Sequence, residues 1–268
     1  MDGESAEPLL LRADAGGVAR LTLNRPAARN SLSRAMLAAL AAEFARIAEE
    51  DAVRVVVLAA AGPVFCAGHD LREITAHRAD ADGGAAFFTE AMAACASVMQ
   101  AIVALPQPVI AEVQGVATAA GCQLVASCDL AVAGSSARFC TPGVEIGLFC
   151  STPAVALARA VAAKPAMEML LTGAMIDAAE AQRLHLVNRM VPDAALTAET
   201  MALAQGIAAR SALAVRLGKA AFHRTRAAPL AAAYADAAAV MSCNLMAEDA
   251  AEGIGAFLGK RKPIWKDR

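Results

Sequence analysis

The sequence is poor in the features that would quickly assign it. Its seven cysteines, Cys66, Cys95, Cys122, Cys128, Cys140, Cys150 and Cys243, are odd in number, scattered and never in a C-x-x-C pair. That argues against a disulfide framework and offers no zinc site, so buried free thiols are expected. The four histidines, His69, His77, His185 and His223, lack metal-ligand spacing, and no metal is expected. The G-x-G-x-x-G fingerprint, the P-loop and G-x-S-x-G are all missing. No apolar run approaches membrane-spanning length without a charge or a Pro/Gly interruption, so no membrane partner is expected. A formal net charge of -2 provides no basic field for nucleic acid, although Lys260, Arg261 and Lys262 form a local cluster. The opening "MDGESAEP" has neither signal-peptide nor transit-peptide layout, from which a cytoplasmic location is expected.

What is present is a large apolar fraction. Hydrophobic residues make up 58% of the 268 residues and charged residues 19%, and the excess is largely alanine, which favours helix. This length suits one compact domain with an accessory segment. Leu9 to Leu11 and Val18 to Leu23 flank "ADAGG" as an opening hairpin. Leu37, Leu40, Phe44 and Ile47 recur at helical spacing, and Val53 to Ala60 is a β-branched strand stopped by Gly62 and Pro63. A helical pattern over 85–104 ends at "LPQP", which forces an extended entry into the buried strand "VIAEVQG". "ATAAGCQLVAS" reads as a short helix, "CDLAVAG" as a third strand and "LVNRMVP" as another. Asp177 and Glu180 have the spacing of a capping box. Strand, loop and helix thus recur in an α/β pattern, followed by alanine-rich helix over 194–258 whose Met241, Leu245 and Met246 cover its own core or another subunit.

Two strand-to-helix corners stand out, "CAGHD" at 66–70 and "TAAGC" at 118–122. Helix N-termini present unpaired N–H groups, so two such corners that meet in space could hold an oxygen that becomes negative during a reaction. On spacing alone, both read more readily as tight corners.

Six segments in order, "LNRPAARNSLS", "FCAGHDLREI", "PVIAEVQGVATAAGCQLVASCDLAVA", "FCTPGVEIGL", "AMEMLLTG" and "EGIGAFLGKRKPIW", resemble the crotonase family of enoyl-CoA hydratases, isomerases and related acyl-CoA enzymes. The resemblance runs over nearly the whole chain and is closest to the hydratase-domain-containing branch. It implies a spiral of ββα units over 1–193 and a helical C-terminal region over 194–268 that builds a homotrimer or a dimer of trimers. It also implies an acyl-CoA thioester as partner, with coenzyme A as part of the substrate and no tightly bound cofactor. Carried over by position, the thioester oxygen would rest on the backbone N–H groups of His69 and Ala120. Coenzyme A would lie along Cys66, Ala67 and Gly68, beside Asp70, with Arg25, Lys260 and Lys262 available to its phosphates. For the His69 imidazole, the choices are an outward position, packing on the coenzyme and contact with the acyl group.

The acid–base positions depart from the family. Where its hydratases carry two glutamates, this chain has Gln123 and Gly143. Glutamine orients water but cannot take its proton, and glycine has no side chain. Losing one acid–base group costs ~10²- to 10⁴-fold. Glu145 is a candidate replacement if its loop is extended, Glu112 within the buried strand calls for a structural partner, and Asp70 orders its own loop. Three readings follow: hydration of a 2-enoyl-CoA, decarboxylation of a methylmalonyl-CoA type substrate, and a non-catalytic CoA-binding oligomer.

Overall fold

The computed structural model describes residues 7–268. Strand β1 (Leu10–Ala15) turns back through two glycines onto β2 (Val18–Leu23), pairing antiparallel as the hairpin reading expects. Helix α1 (Arg34–Ala48) follows, with Ser33 accepting the Met36 N–H as its cap and Met36, Leu37, Leu40, Phe44 and Ile47 forming its buried face. β3 (Val55–Ala60) starts two residues later than the apolar run suggests. Next come the short α2 (Leu71–Ala76) and α3 (Ala85–Ala104). By length and composition α3 could span a membrane, but its Phe87, Ala91, Cys95, Val98, Met99 and Ile102 are buried in this core.

β4 (Val109–Val113) leads into β5 (Val116–Thr118), and only then does α4 (Ala120–Ser127) begin. The stretch read as one short helix is therefore a strand and a helix. β6 (Leu130–Gly134) and β7 (Arg138–Cys140) precede a 3-10 turn over Pro142–Ile146 and helices α5 (Ser151–Ala160) and α6 (Ala163–Thr172). β8 (Ile176–Asp177), α7 (Ala178–Arg183) and β9 (Arg189–Val191) close the mixed part of the chain. Asp177 accepts the Glu180 N–H, but the Glu180 carboxylate turns to Arg183, so only half of the capping box forms. The rest is helical: α8 (Leu196–Ala208), α9 (Ala212–Thr225), α10 (Leu230–Leu245) and α11 (Glu248–Leu258).

The strands form two sheets, one ordered β1-β2-β3-β4-β6-β9 and a smaller one ordered β5-β7-β8. β2, β3, β4, β6 and β9 run parallel, so their C-terminal ends share one edge. One large core holds Leu21, Leu58, Phe44, Ile102 and Phe139, each side chain contributing ~1.5–3 kcal/mol by burial. A second core on the opposite sheet face packs Leu196, Ala204 and Ala208 of α8 against Val55, Val57, Ile110 and Val132. All seven cysteines are free thiols, five of them buried, Cys128 half-buried and Cys243 exposed.

Candidate functional site

The two corners meet. Cys66 and Ala117 form a parallel bridge: the Cys66 N–H donates to the Val116 carbonyl at 3.1 Å, and the Thr118 N–H donates to the Cys66 carbonyl at 3.0 Å. The Thr118 hydroxyl closes on the Ala67 carbonyl at 3.0 Å. Small residues make this approach possible. A Cβ on Gly115 would stand 1.8 Å from the Pro63 carbonyl oxygen, and one on Gly121 would stand 2.1 Å from that of Cys66. Gly68, at φ +88°, turns the first corner with its Cβ position 3.4 Å from the Ala120 nitrogen.

Hydrogen bonding leaves donors over at this junction. The Leu32 N–H donates to the Gly68 carbonyl at 2.8 Å and the Asp70 N–H to the Leu32 carbonyl at 3.3 Å, so His69 lies between two bonds that use its neighbours. The His69 N–H itself, and that of Ala120 at the first position of α4, donate to nothing among the described residues. Ala119, which precedes Ala120, takes φ 49° and ψ -117°. Its N–H is fixed by the Cys140 carbonyl at 3.0 Å. Backbone strain in the second corner therefore falls on Ala119, while Ala120 is an ordinary helical residue.

The His69 imidazole does not point outward. Burial lowers its pKa, only partly offset by the Leu32 main chain and the Glu73 carboxylate, so the ring is neutral at pH 7. Its Nε2 is buried with no hydrogen-bond partner among the described residues. The Cys66 thiol, fully enclosed, is pushed up to about 12 by burial and stays protonated.

The acids divide clearly. Glu112 receives two bonds from Arg20, at 2.7 and 3.3 Å, and one from the Thr197 hydroxyl at 2.8 Å. It is a structural pair on the α8 face of the sheet. Glu145 is exposed, its carboxylate 3.4 Å from the Cβ position of Gly173 at the end of α6, and nothing brings it to Gln123. Asp70 caps α2 and pairs with Arg25 at 2.7 Å. Arg25 is thereby committed to the cap of α2. The tail that bears Lys260 and Lys262 is anchored by Asp267 on Arg54 and by Trp265 on the Ala209 carbonyl, at the N-terminal end of β3. Cys66 to Gly68 follow that strand's other end, so one protomer does not gather these cations there. The carbonyls of Cys66, Ala67 and Gly68 each already accept one protein donor.

Two further features escaped the sequence reading. The space beside Gly143 is taken: a Cβ there would meet the Cys150 Sγ and the Leu148 carbonyl oxygen, each at 2.8 Å. Gly147, at φ +77°, folds the loop back so that the Leu148 N–H donates to the Gly143 carbonyl. Gln123 is buried, with the Cys95 thiol of α3 donating to its Oε1 at 3.9 Å. Gln123 also forms part of the wall of a cavity of about 1410 Å³ between α3, α4, α5 and α9. Only a partner several turns or elements away reveals either arrangement, and no local motif signals it.

Comparison with known proteins places the chain in a family. The family described as enoyl-CoA hydratase/isomerase matches residues 13–268. Enoyl-CoA hydratase domain-containing protein 3, mitochondrial, of Mus musculus is 47% identical over 98% of this chain and 86% of its own. A solved enoyl-CoA hydratase of Mycobacterium smegmatis is 53% identical at a TM-score of 0.92, covering 97% of this chain and 99% of its own. The solved human enoyl Coenzyme A hydratase domain-containing protein 3 is 45% identical at 0.91, covering 96% and 100%. The mouse relative's name overturns the cytoplasmic expectation. That expectation rested on the opening octapeptide, whose first six residues lie outside the described ones. A compartment is read from a targeting segment and not from the folded domain's composition.

Proposed function

The chain belongs to the enoyl-CoA hydratase/isomerase family, and from that premise we propose that it binds an acyl-CoA thioester and stabilises its enolate on the His69 and Ala120 N–H groups. The observation that carries this reading is that the His69 and Ala120 N–H groups, one from each corner, have no partner among the described residues where the corners meet. Each such donor is worth ~10²- to 10³-fold in rate when aimed at a developing oxyanion. Coenzyme A would lie along Cys66 to Gly68. Arg29, exposed and bonded through its carbonyl to the Ala67 N–H, is a further cation beside that loop.

Hydration of a 2-enoyl-CoA is the nominal reaction. A second reading is supported by Gly143 and its filled surroundings: decarboxylation of a malonyl-type acyl-CoA. There the electrons of the breaking carbon–carboxylate bond become the enolate, CO₂ departs, and water protonates the α-carbon. That sequence uses the oxyanion site and needs no side-chain base.

The test is to supply crotonyl-CoA and methylmalonyl-CoA separately, following loss of the conjugated double bond and release of CO₂. Turnover of the first supports hydration and of the second decarboxylation. Binding of both without turnover leaves a CoA-binding protein, and binding of neither overturns the proposal.

A further inference from the structure

The first corner is held from one side by the loop before α1. The Ala67 N–H donates to the Arg29 carbonyl at 3.0 Å, the Leu32 N–H to the Gly68 carbonyl and the Asp70 N–H to the Leu32 carbonyl. Leu32 and His69 thus form a parallel bridge in which both polar groups of Leu32 are spent on the neighbours of His69. Successive residues of an extended chain send their polar groups to opposite sides, so the His69 N–H is turned away from Leu32. That ladder fixes the direction of the His69 donor. It does not fix its separation from the Ala120 donor.

The separation depends on what ties one corner to the other. Their main chains bond to each other at Cys66, before Gly68 bends the chain at φ +88°. Beyond that point one bond remains, from the Thr118 hydroxyl to the Ala67 carbonyl at 3.0 Å. Among the described residues it is the only side-chain hydrogen bond between the two corners. Its place is symmetrical: Ala67 stands two residues before His69, and Thr118 two residues before Ala120. On the far side of Thr118, the Cys140 carbonyl takes the N–H of the strained Ala119. Thr118 and Cys140 therefore bracket the residue whose conformation aims the Ala120 N–H.

We propose that Thr118 is a positioning residue: by holding the Ala67 carbonyl, its hydroxyl sets the spacing at which the His69 and Ala120 N–H groups reach one thioester oxygen. The inference rests on the acyl-CoA reading above and adds the group that aligns its donors. Thr118 acts through the backbone and touches no substrate. A shift of about 1 Å in a reacting geometry costs on the order of 10²-fold in rate, so one bond at this place is enough to matter. A threonine kept in β5 for its β-branching alone would be replaceable by valine, which has the same shape and strand preference. One kept for its hydroxyl would not, because the Ala67 carbonyl would lose its partner.

The experiment binds butyryl-CoA, isotopically labelled at the thioester carbonyl carbon, and reads that carbonyl by difference infrared spectroscopy. Its stretch falls in frequency as the oxygen accepts hydrogen bonds, and wild-type protein is expected to lower it relative to the free ligand. Thr118→Val should lose at least about half of that shift while keeping butyryl-CoA affinity within about threefold. Thr118→Ser, which restores the hydroxyl, should keep the wild-type shift. Thr118→Ala against Thr118→Ser gives the same contrast if the valine variant does not fold. A full shift in Thr118→Val or Thr118→Ala, even with a lowered thermal midpoint, overturns the positioning role and leaves a structural threonine. A shift lost as fully in Thr118→Ser overturns it too. Butyryl-CoA bound to wild type with no shift overturns the oxyanion reading, and no binding at all overturns the acyl-CoA reading, each taking this inference with it.

Discussion

Ala119 holds φ 49° and ψ -117°, a region that an L-residue enters only under constraint, at a cost of ~1–3 kcal/mol. The Cys140 carbonyl below and the α4 helix above hold it there. Ala119→Gly is therefore expected to raise stability by about 1 kcal/mol, seen as a higher thermal midpoint, because glycine occupies that region freely. A lower midpoint would mean that the alanine methyl packs more favourably than the strain costs. Gly143 predicts the opposite response. Gly143→Glu restores the family's residue type but drives its Cβ against the Cys150 Sγ and the Leu148 carbonyl oxygen at 2.8 Å. It should cost ~1–3 kcal/mol as an overpacked site and give no gain in crotonyl-CoA hydration. Faster hydration by that variant would show that the loop has room to rearrange.

At the scale of elements, the α2 cap ties the first corner to the loop before α1. Burial raises the Asp70 pKa, but the Arg25 bond and the N–H groups of Glu73 and Arg72 outweigh it and hold the carboxyl below its usual range. A carboxylate depressed in the folded state contributes stability above its unfolded pKa of about 3.9 and loses it as pH falls through the folded value. Asp70→Asn keeps a capping oxygen but loses the ion pair. It should cost about 1.5–3 kcal/mol at pH 7, with the gap from wild type narrowing below about pH 4 in denaturant titrations. A gap of constant size across pH would remove the ion pair from the account.

The same scale explains what the sequence revealed. α1, α3, β3 and β4 were legible because they are long enough for a period of 3.6 or for a continuous β-branched run to show. β5, β7 and β8 span three residues or fewer and exist through pairing with each other, so nothing local distinguishes them from loop. In the site, the corners were legible as spacing and acquired a role only through the family resemblance. The Arg25–Asp70 pair, the Cys150 side chain in the Gly143 space and the turn of the Gln123 amide by Cys95 depend on contacts across 7 to 45 positions. These are tertiary facts. They also complete the reading of the polar residues: Glu112 has the structural partner its buried strand called for, and Gln123 accepts from the Cys95 thiol.

For the whole molecule, the open question is what covers the C-terminal helices. α10 buries none of its residues within the protomer. Tyr234 is 70% exposed, Met246 87% and Phe257 83%, and Leu230, Met241, Leu245 and Leu258 extend the same apolar character. Large exposed apolar side chains in this number mark an association surface. Ile146, Leu148 and Phe149 are also exposed, on the loop that folds back over Gly143, so a neighbouring copy seated there would order the candidate site as well. The family resemblance implies three copies, and a ring of head-to-tail contacts would close without leaving an open end. Light scattering should then give three times the 27.3 kDa chain mass, or six times if rings pair. Met246→Glu combined with Phe257→Glu should shift the protein toward monomer and lower acyl-CoA affinity together with mass, because the loop over Gly143 loses its cover. A wild-type monomer at micromolar concentration would overturn the assembly. Full acyl-CoA affinity in the dissociated variant would show that each protomer completes its site alone.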